Sequence, residues 1–162
     1  MKSVFPFVSA VTALLVVAAC SVPQDNSVLV INVLSPEQYK DAHIKGSINV
    51  PFDQVEAYAK KVDKKREVVF YCANYMCSAS GASAEMFKKL GFENVWAYEG
   101  GTAEWYQLGY PIDGPATEGY LKAENKKPAV EETHAYGIIT AQELKAKMEP
   151  SHCASCPSCC RK

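Results

Sequence analysis

Cysteine is the residue type in this chain with the most chemistry to offer, and it is unevenly spread. Of seven cysteines in 162 residues, one falls in the first seventy and four in the last ten. Cys72 follows the apolar run Glu67-Val-Val-Phe-Tyr71 and precedes a short stretch, Ala73 to Met76, that leads into a long helical pattern from Ser78. A thiol between a strand end and a helix start meets unpaired backbone N–H groups and the positive end of the helix dipole, both of which favour the thiolate. Ligands of α/β sheets bind beyond the carboxyl ends of strands, where such a loop lies. On residue type alone, Cys72 is equally well read as a buried structural thiol. Cys77, five residues on, falls near the first turn of the same helix.

The remaining cluster is His152-Cys153-Ala-Ser-Cys156-Pro-Ser-Cys159-Cys160. The Cys-x2-Cys spacing is that of structural zinc and iron–sulfur ligands. With His152, Cys153, Cys156, Cys159 and Cys160 so close together, the tail can chelate a soft ion such as Cu or Zn without a fold. Disulfide pairing, or a thiol that exchanges with Cys72, is the competing reading. Cys159 and Cys160 are adjacent, so a bond between them would be strained and each is expected to take a different partner.

The elements that must position Cys72 follow from local patterns. Val28-Leu-Val-Ile-Asn-Val33 is apolar nearly throughout, as in a strand covered on both faces. Ser35-Pro36-Glu37 offers an N-cap and a proline at the first helical position, predicting a short helix over 36–41. A brief strand at 48–51 and a helix over 52–62 come next. The helix over 78–90 is expected to bury Ala79, Ala82, Met86 and Leu90, with Gly91 as its stop. A strand at 94–98 and a helix at 102–108 close the series. Such alternation predicts a small parallel sheet with helices on both faces. From 116 to 136 the composition turns charged, reading as a linker or surface loop. Beyond it, Ile138-Ile139-Thr140 leads into a helix over 141–148, with Thr140 and Glu143 spaced as a capping box. Residues 150–162 have no apolar face to bury.

Composition limits what the chain can be. Its length suits one compact domain. Hydrophobic residues at 48% and charged ones at 22% exclude wholesale disorder. With 17 basic and 18 acidic side chains, the formal charge of -1 disfavours nucleic acid as a partner. A monomer is expected. At the amino terminus, Lys2 followed by the uncharged apolar run 4–17 reads as an export signal over 1–19, too short and proline-bearing for a comfortable membrane span. An uncleaved anchor helix is the alternative. Val17-Ala18-Ala19-Cys20 resembles a bacterial lipoprotein signal, which implies fatty acylation (palmitate among the chains) at Cys20. Ser21 stands where an inner-membrane retention signal would carry Asp, so the expected location is the outer membrane facing the periplasm, or the cell surface. Acyl chains would hold the protein there, each buried methylene contributing about 0.8 kcal/mol.

Several motifs between Val28 and Pro115 are similar to those of the single-domain rhodanese family. Ala42-His43-Ile44-Lys45-Gly46-Ser47-Ile48-Asn49-Val50-Pro51 resembles the family's Gly-His-Ile-Pro-Gly-Ala segment, and Tyr71-Cys72 its active-loop start. Leu90-Gly91-Phe92, then Glu99-Gly100-Gly101 to Trp105, then Gly109-Tyr110-Pro111 resemble its closing pattern. The resemblance implies a sulfurtransferase fold and chemistry. Cys72 would take a sulfane sulfur from a small donor such as thiosulfate or a persulfide, hold it as Cys–S–SH, and give it to a thiol acceptor, with no cofactor. Backbone amides of Ala73, Asn74, Tyr75, Met76 and Cys77 would cradle the anion.

Two departures stand out. Cys77 occupies the position where the family often has a donor-binding Arg, and Asn32-Val33-Leu34 replaces an Asp-x-Arg. Losing one charge-assisted hydrogen bond costs about 1.5–3 kcal/mol, more than tenfold in thiosulfate affinity. The related cysteine-phosphatase arrangement is disfavoured, since Ser78 stands where it needs Arg. Cys77 reads either as a resolving thiol, closing a Cys72–Cys77 disulfide and releasing sulfide, or as a small loop residue. Family members usually begin with an Ile-Thr/Ser-x-Glu-Leu-Lys element, and here Ile139-Thr140-Ala141-Gln142-Glu143-Leu144-Lys145 follows the domain instead. It is expected to pack back into the vacant place, as in a circular permutation, or to be the remnant of a second unit. The rival to a sulfurtransferase is a non-enzymatic thiol and metal-binding lipoprotein on the same scaffold.

Overall fold

A computed structural model describes residues 27–129 and 133–149. Cys20, the leader over 1–19 and the tail residues His152, Cys153, Cys156, Cys159 and Cys160 lie outside the described residues.

Strand β1 (Leu29–Asn32) is followed by α1 (Pro36–Asp41), β2 (His43–Ile44), β3 (Ile48–Asn49), α2 (Val55–Ala59), β4 (Val68–Tyr71), α3 (Ala79–Lys89), β5 (Val95–Tyr98), α4 (Gly101–Gln107) and β6 (Ile112–Asp113). The strand β7 (Gly137–Ile138) and helix α5 (Ala141–Met148) are the last of the described elements. Five strands form one parallel sheet in the order β3-β1-β4-β5-β7, and β2 pairs antiparallel with β6. In register, Asn32 lies beside Tyr71 and Tyr71 beside Tyr98, so Cys72 emerges at the carboxyl end of the central strand.

The central strands are apolar on both faces because both are covered. On one face, Leu29, Ile31, Val68 and Phe70 pack with Val55, Ala84 and Phe87 of α2 and α3. Phe70 meets the Phe87 ring edge-on at 4.7 Å. On the other, Val30, Val69 and Tyr71 pack with Trp105 of α4 and Leu144 of α5. The α1 helix begins as expected, Ser35 Oγ accepting from the Gln38 N–H at 3.3 Å with Pro36 inside the first turn. His43 has a structural place, stacked on Tyr39 at 3.8 Å with Nδ1 2.7 Å from the Tyr39 carbonyl oxygen.

Two expectations require correction. The buried face of α3 is Ser80, Ser83, Ala84 and Phe87, while Ala82 and Leu90 are exposed. Small hydroxyl residues let the helix approach the sheet closely, and Ser83 returns its O–H to the Ala79 carbonyl at 2.8 Å, so they pack where larger apolar residues were expected. The helix expected over 52–62 is a 3-10 turn at Phe52–Gln54 and then α2 alone, with Phe52 exposed. Of the two readings of the charged segment after 116, its described residues form a surface loop fastened to the domain. The Asp41 carboxylate accepts from the N–H groups of Thr117 and Glu118, Leu121 is fully buried, and Gln107 Nε2 donates to the carbonyls of Leu121 and Ala123.

The carboxyl element packs back on the sheet. β7 pairs with β5, Ile139 N–H continues onto the Ala97 carbonyl at 3.1 Å, and Leu144 is fully buried over the face that carries Val30. Thr140 and Glu143 form the reciprocal capping box.

Candidate active site

The loop from Cys72 to Ser78 joins β4 to α3 and is held from three directions. The N–H groups of Thr102 and Ala103, at the start of α4, donate to the carbonyls of Cys72 and Ala73, each at 2.9 Å, and Thr102 Oγ1 adds a bond to the Cys72 carbonyl at 3.2 Å. Gly101 permits that approach. Its φ is +62°, and a Cβ there would fall 2.5 Å from the Ala73 carbonyl carbon and 2.6 Å from the Cys72 oxygen. From the surface loop, Asn125 Oδ1 accepts from the Tyr75 N–H at 3.0 Å while its Nδ2 donates to the Gly100 carbonyl at 2.9 Å. From α4, Glu104 accepts from the Tyr75 hydroxyl at 2.9 Å.

Within the loop, the expected cradle around Cys72 is not formed. Asn74 Oδ1 accepts from the Met76 N–H at 3.1 Å, and the Asn74 carbonyl accepts from the Cys77 N–H at 3.1 Å. With Tyr75 already bound to Asn125, three of the amides expected to face an anion at Cys72 have other partners. Asparagine two residues before an N–H closes such a turn readily, and that local bond turns the amides away. The Cys72 sulfur instead meets three oxygen atoms and, of the backbone amides, that of Ser80. It donates to the Cys77 carbonyl at 3.0 Å, has the Asn74 carbonyl 3.9 Å away, and lies 3.4 Å from Ser80 Oγ. The residue is 0% exposed.

Cys77 differs in exposure and in the number of amides that face it. It is half-buried, and amides of Ala79 and Ala73 are directed at its sulfur. Hydrogen bonding from Cys72 first, and then those amides, outweigh partial burial and lower its pKa to about 6. The same bond, followed by burial, pushes the Cys72 thiol up. A cleft of about 680 Å³ opens beside the loop, lined by Tyr75, Met76 and Cys77, by Ser80 and Glu85 of α3, and by His134 and Tyr136 from the segment entering β7. Cys72, Ala73 and Asn74 are not among its lining residues. Of the residues expected at the site, then, Tyr75, Met76 and Cys77 meet the cleft, while Cys72 lies behind them.

Ser80, Gly101, Thr102 and Asn125 shape the loop and were not anticipated as site residues. The Gly100-Gly101 pair was a visible signal for a close backbone approach; nothing local marked Asn125, fifty residues from its partner. Among the described residues, no group of three or more His, Cys, Asp or Glu side chains is arranged to hold a metal ion, and no helix is long and apolar enough to cross a membrane.

With this parallel sheet and strand-end thiol loop in view, comparison with known proteins identifies the class. Residues 21–108 match the model of the rhodanese-like domain, and the chain belongs to that family. Among solved structures, the BH2092 protein of Bacillus halodurans superposes with a TM-score of 0.51 at 27% identity, covering 56% of this chain and 66% of that one. The rhodanese-like domain of the Anabaena protein Alr3790 gives 0.50 at 25% identity, covering 54% and 93%. Two curated relatives are named as sulfurtransferases. The mitochondrial thiosulfate/3-mercaptopyruvate sulfurtransferase 1 of Arabidopsis thaliana is 30% identical over 90 residues, covering 55% of this chain and 24% of the relative. The thiosulfate:glutathione sulfurtransferase of Saccharomyces cerevisiae is 29% identical over 98 residues, covering 52% and 69%. An HTH-type transcriptional regulator of Mycobacterium tuberculosis also matches, at 28% over 93 residues, with 41% of its length covered. The chain thus spans less than half of two of these three curated relatives.

Proposed function

We propose that the protein is a sulfurtransferase whose loop at 72–77 carries sulfane sulfur, held as a persulfide on Cys72. The observation that supports this best is the pair of thiols in one loop at the carboxyl end of the central strand, with a cleft at its mouth. In outline, a bond forms between a cysteine sulfur and the donor's sulfane sulfur as the donor's S–S bond breaks, and the donor leaves as a thiolate or sulfite. A thiol acceptor then takes the sulfur and the loop thiol returns. The curated relatives named as sulfurtransferases support the same class. The absence of an Arg at position 77 argues for a persulfide over thiosulfate as donor.

The proposal extends to placement: acylation at Cys20 would tether the domain to a membrane outside the cytoplasm, with the tail cysteines and His152 free to hold a soft metal ion such as Cu or Zn. A second reading, a non-enzymatic thiol protein on this scaffold, is favoured by one observation, the complete burial of Cys72. Cyanolysis distinguishes the two. Full-length protein treated with a persulfide should release thiocyanate on adding cyanide, and the double variant Cys72→Ser, Cys77→Ser should release only what the tail retains. Equal release from both proteins would refute sulfur transfer at the loop.

A further inference from the structure

The two loop thiols sit in opposite surroundings. Cys72 is sealed, and its sulfur faces the Cys77 and Asn74 carbonyls; the bond to Cys77 and burial hold its proton on against the Ser80 hydroxyl and amide, which favour the thiolate. Cys77 lines the cleft. A donor molecule entering that cleft meets Cys77 in its wall, whereas Cys72 is fully buried and lies behind Ser80, whose hydroxyl is 3.4 Å from its sulfur.

We propose that Cys77 is the thiol that meets the sulfur donor and that Cys72 takes the sulfur from it within the loop, an assignment that rests on the sulfur-transfer reading above. In the first step the Cys77 thiolate attacks the outer sulfur of an organic persulfide, R–S–SH. The new bond is Cys77 Sγ–S, the bond broken is the donor's S–S, and R–S⁻ leaves, giving Cys77–S–SH. In the second step Cys72 attacks that outer sulfur. Cys72–S–SH forms, the Cys77 S–S bond breaks, and the proton of Cys72 passes to the departing Cys77 sulfur, so both steps balance without an added oxidant or reductant. The Cys77 carbonyl, which accepts from Cys72 Sγ at 3.0 Å, keeps the two residues in contact for this exchange. A thiol held largely ionised attacks well near neutral pH and is also a good leaving group, which suits the intermediate position. The cleft suits an organic persulfide better than a dianion, since Glu85 and Glu99 stand in its wall with Lys127.

The test uses the full-length protein, cysteine persulfide as donor, and peptide mapping by mass spectrometry to locate the sulfane sulfur. In the wild type it should come to rest on Cys72. In Cys77→Ser, loading of Cys72 should slow at least tenfold; in Cys72→Ala, sulfur should remain on Cys77. Cys77 is half-buried, so its serine variant is expected to fold, which circular dichroism checks. Loading of Cys72 at the wild-type rate in Cys77→Ser overturns the assignment while leaving sulfur transfer standing, as does a Cys72→Ala protein with no sulfur on Cys77. No sulfane sulfur on either cysteine of the wild type overturns the sulfur-transfer reading itself, and this assignment with it.

Discussion

Gly101→Ala is the perturbation that most directly tests how the fold holds the reactive loop. At φ +62° an alanine enters the left-handed region, which costs L residues about 1–2 kcal/mol. The larger effect is steric. The added Cβ would lie 2.5 Å from the Ala73 carbonyl carbon and 2.6 Å from both Asn74 N and Cys72 O, and these are backbone atoms that cannot rotate aside. Relief requires α4 to withdraw from the loop, which lengthens the bonds from Thr102 and Ala103 N–H to the Cys72 and Ala73 carbonyls. A buried polar group stranded in this way costs about 1–3 kcal/mol. Strain and lost bonds together are expected to remove about 4 kcal/mol, a large share of the ~5–15 kcal/mol available to a domain. Urea unfolding of wild type and variant measures the difference, and hydrogen exchange at the Thr102 and Ala103 amides should show them opening. A loss below about 1 kcal/mol, with both amides still protected, would mean that the close approach of α4 is not what fixes the loop.

Asn125→Ala removes the acceptor for the Tyr75 N–H and the donor to the Gly100 carbonyl, so it should destabilise the domain by about 1–3 kcal/mol and speed amide exchange at Tyr75. Unchanged exchange there would show that the surface loop does not brace the site. Leu144→Ala should cost about 2–5 kcal/mol if α5 is integral to the core, read by denaturation; a near-neutral result would show the carboxyl element to be dispensable. Alkylation of Cys77 should follow its thiolate, slow below about pH 6 and approaching its plateau above it, because the folded protein holds this pKa below the ordinary thiol value. A midpoint near that of a free thiol, followed by mapping the label to residue 77, would remove the electrostatic basis of its role.

Where sequence rules are local, the chain could be read directly. Ser35 and Pro36 define the start of α1, and Thr140 with Glu143 the start of α5, because a cap depends on atoms three residues apart. β1 and β4 were legible from runs apolar on both faces, and that pattern put Cys72 at a strand end before a helix. The inward face of α3 was not legible, since Ser80 and Ser83 are buried by how closely the helix approaches the sheet, which apolar periodicity does not report.

The sequence by itself determined that two thiols share a loop at the end of a buried strand, because strand, turn and helix signals all act over a few neighbouring residues. Only the tertiary structure decided which of those thiols is shut away among oxygen acceptors and which faces the cleft. That outcome depends on Gly101, Thr102 and Asn125 reaching the loop from far along the chain, which fixes it in the shape where Asn74 takes the Met76 amide. The charge a sulfur can carry is set by the groups packed around it, and folding assembles those groups.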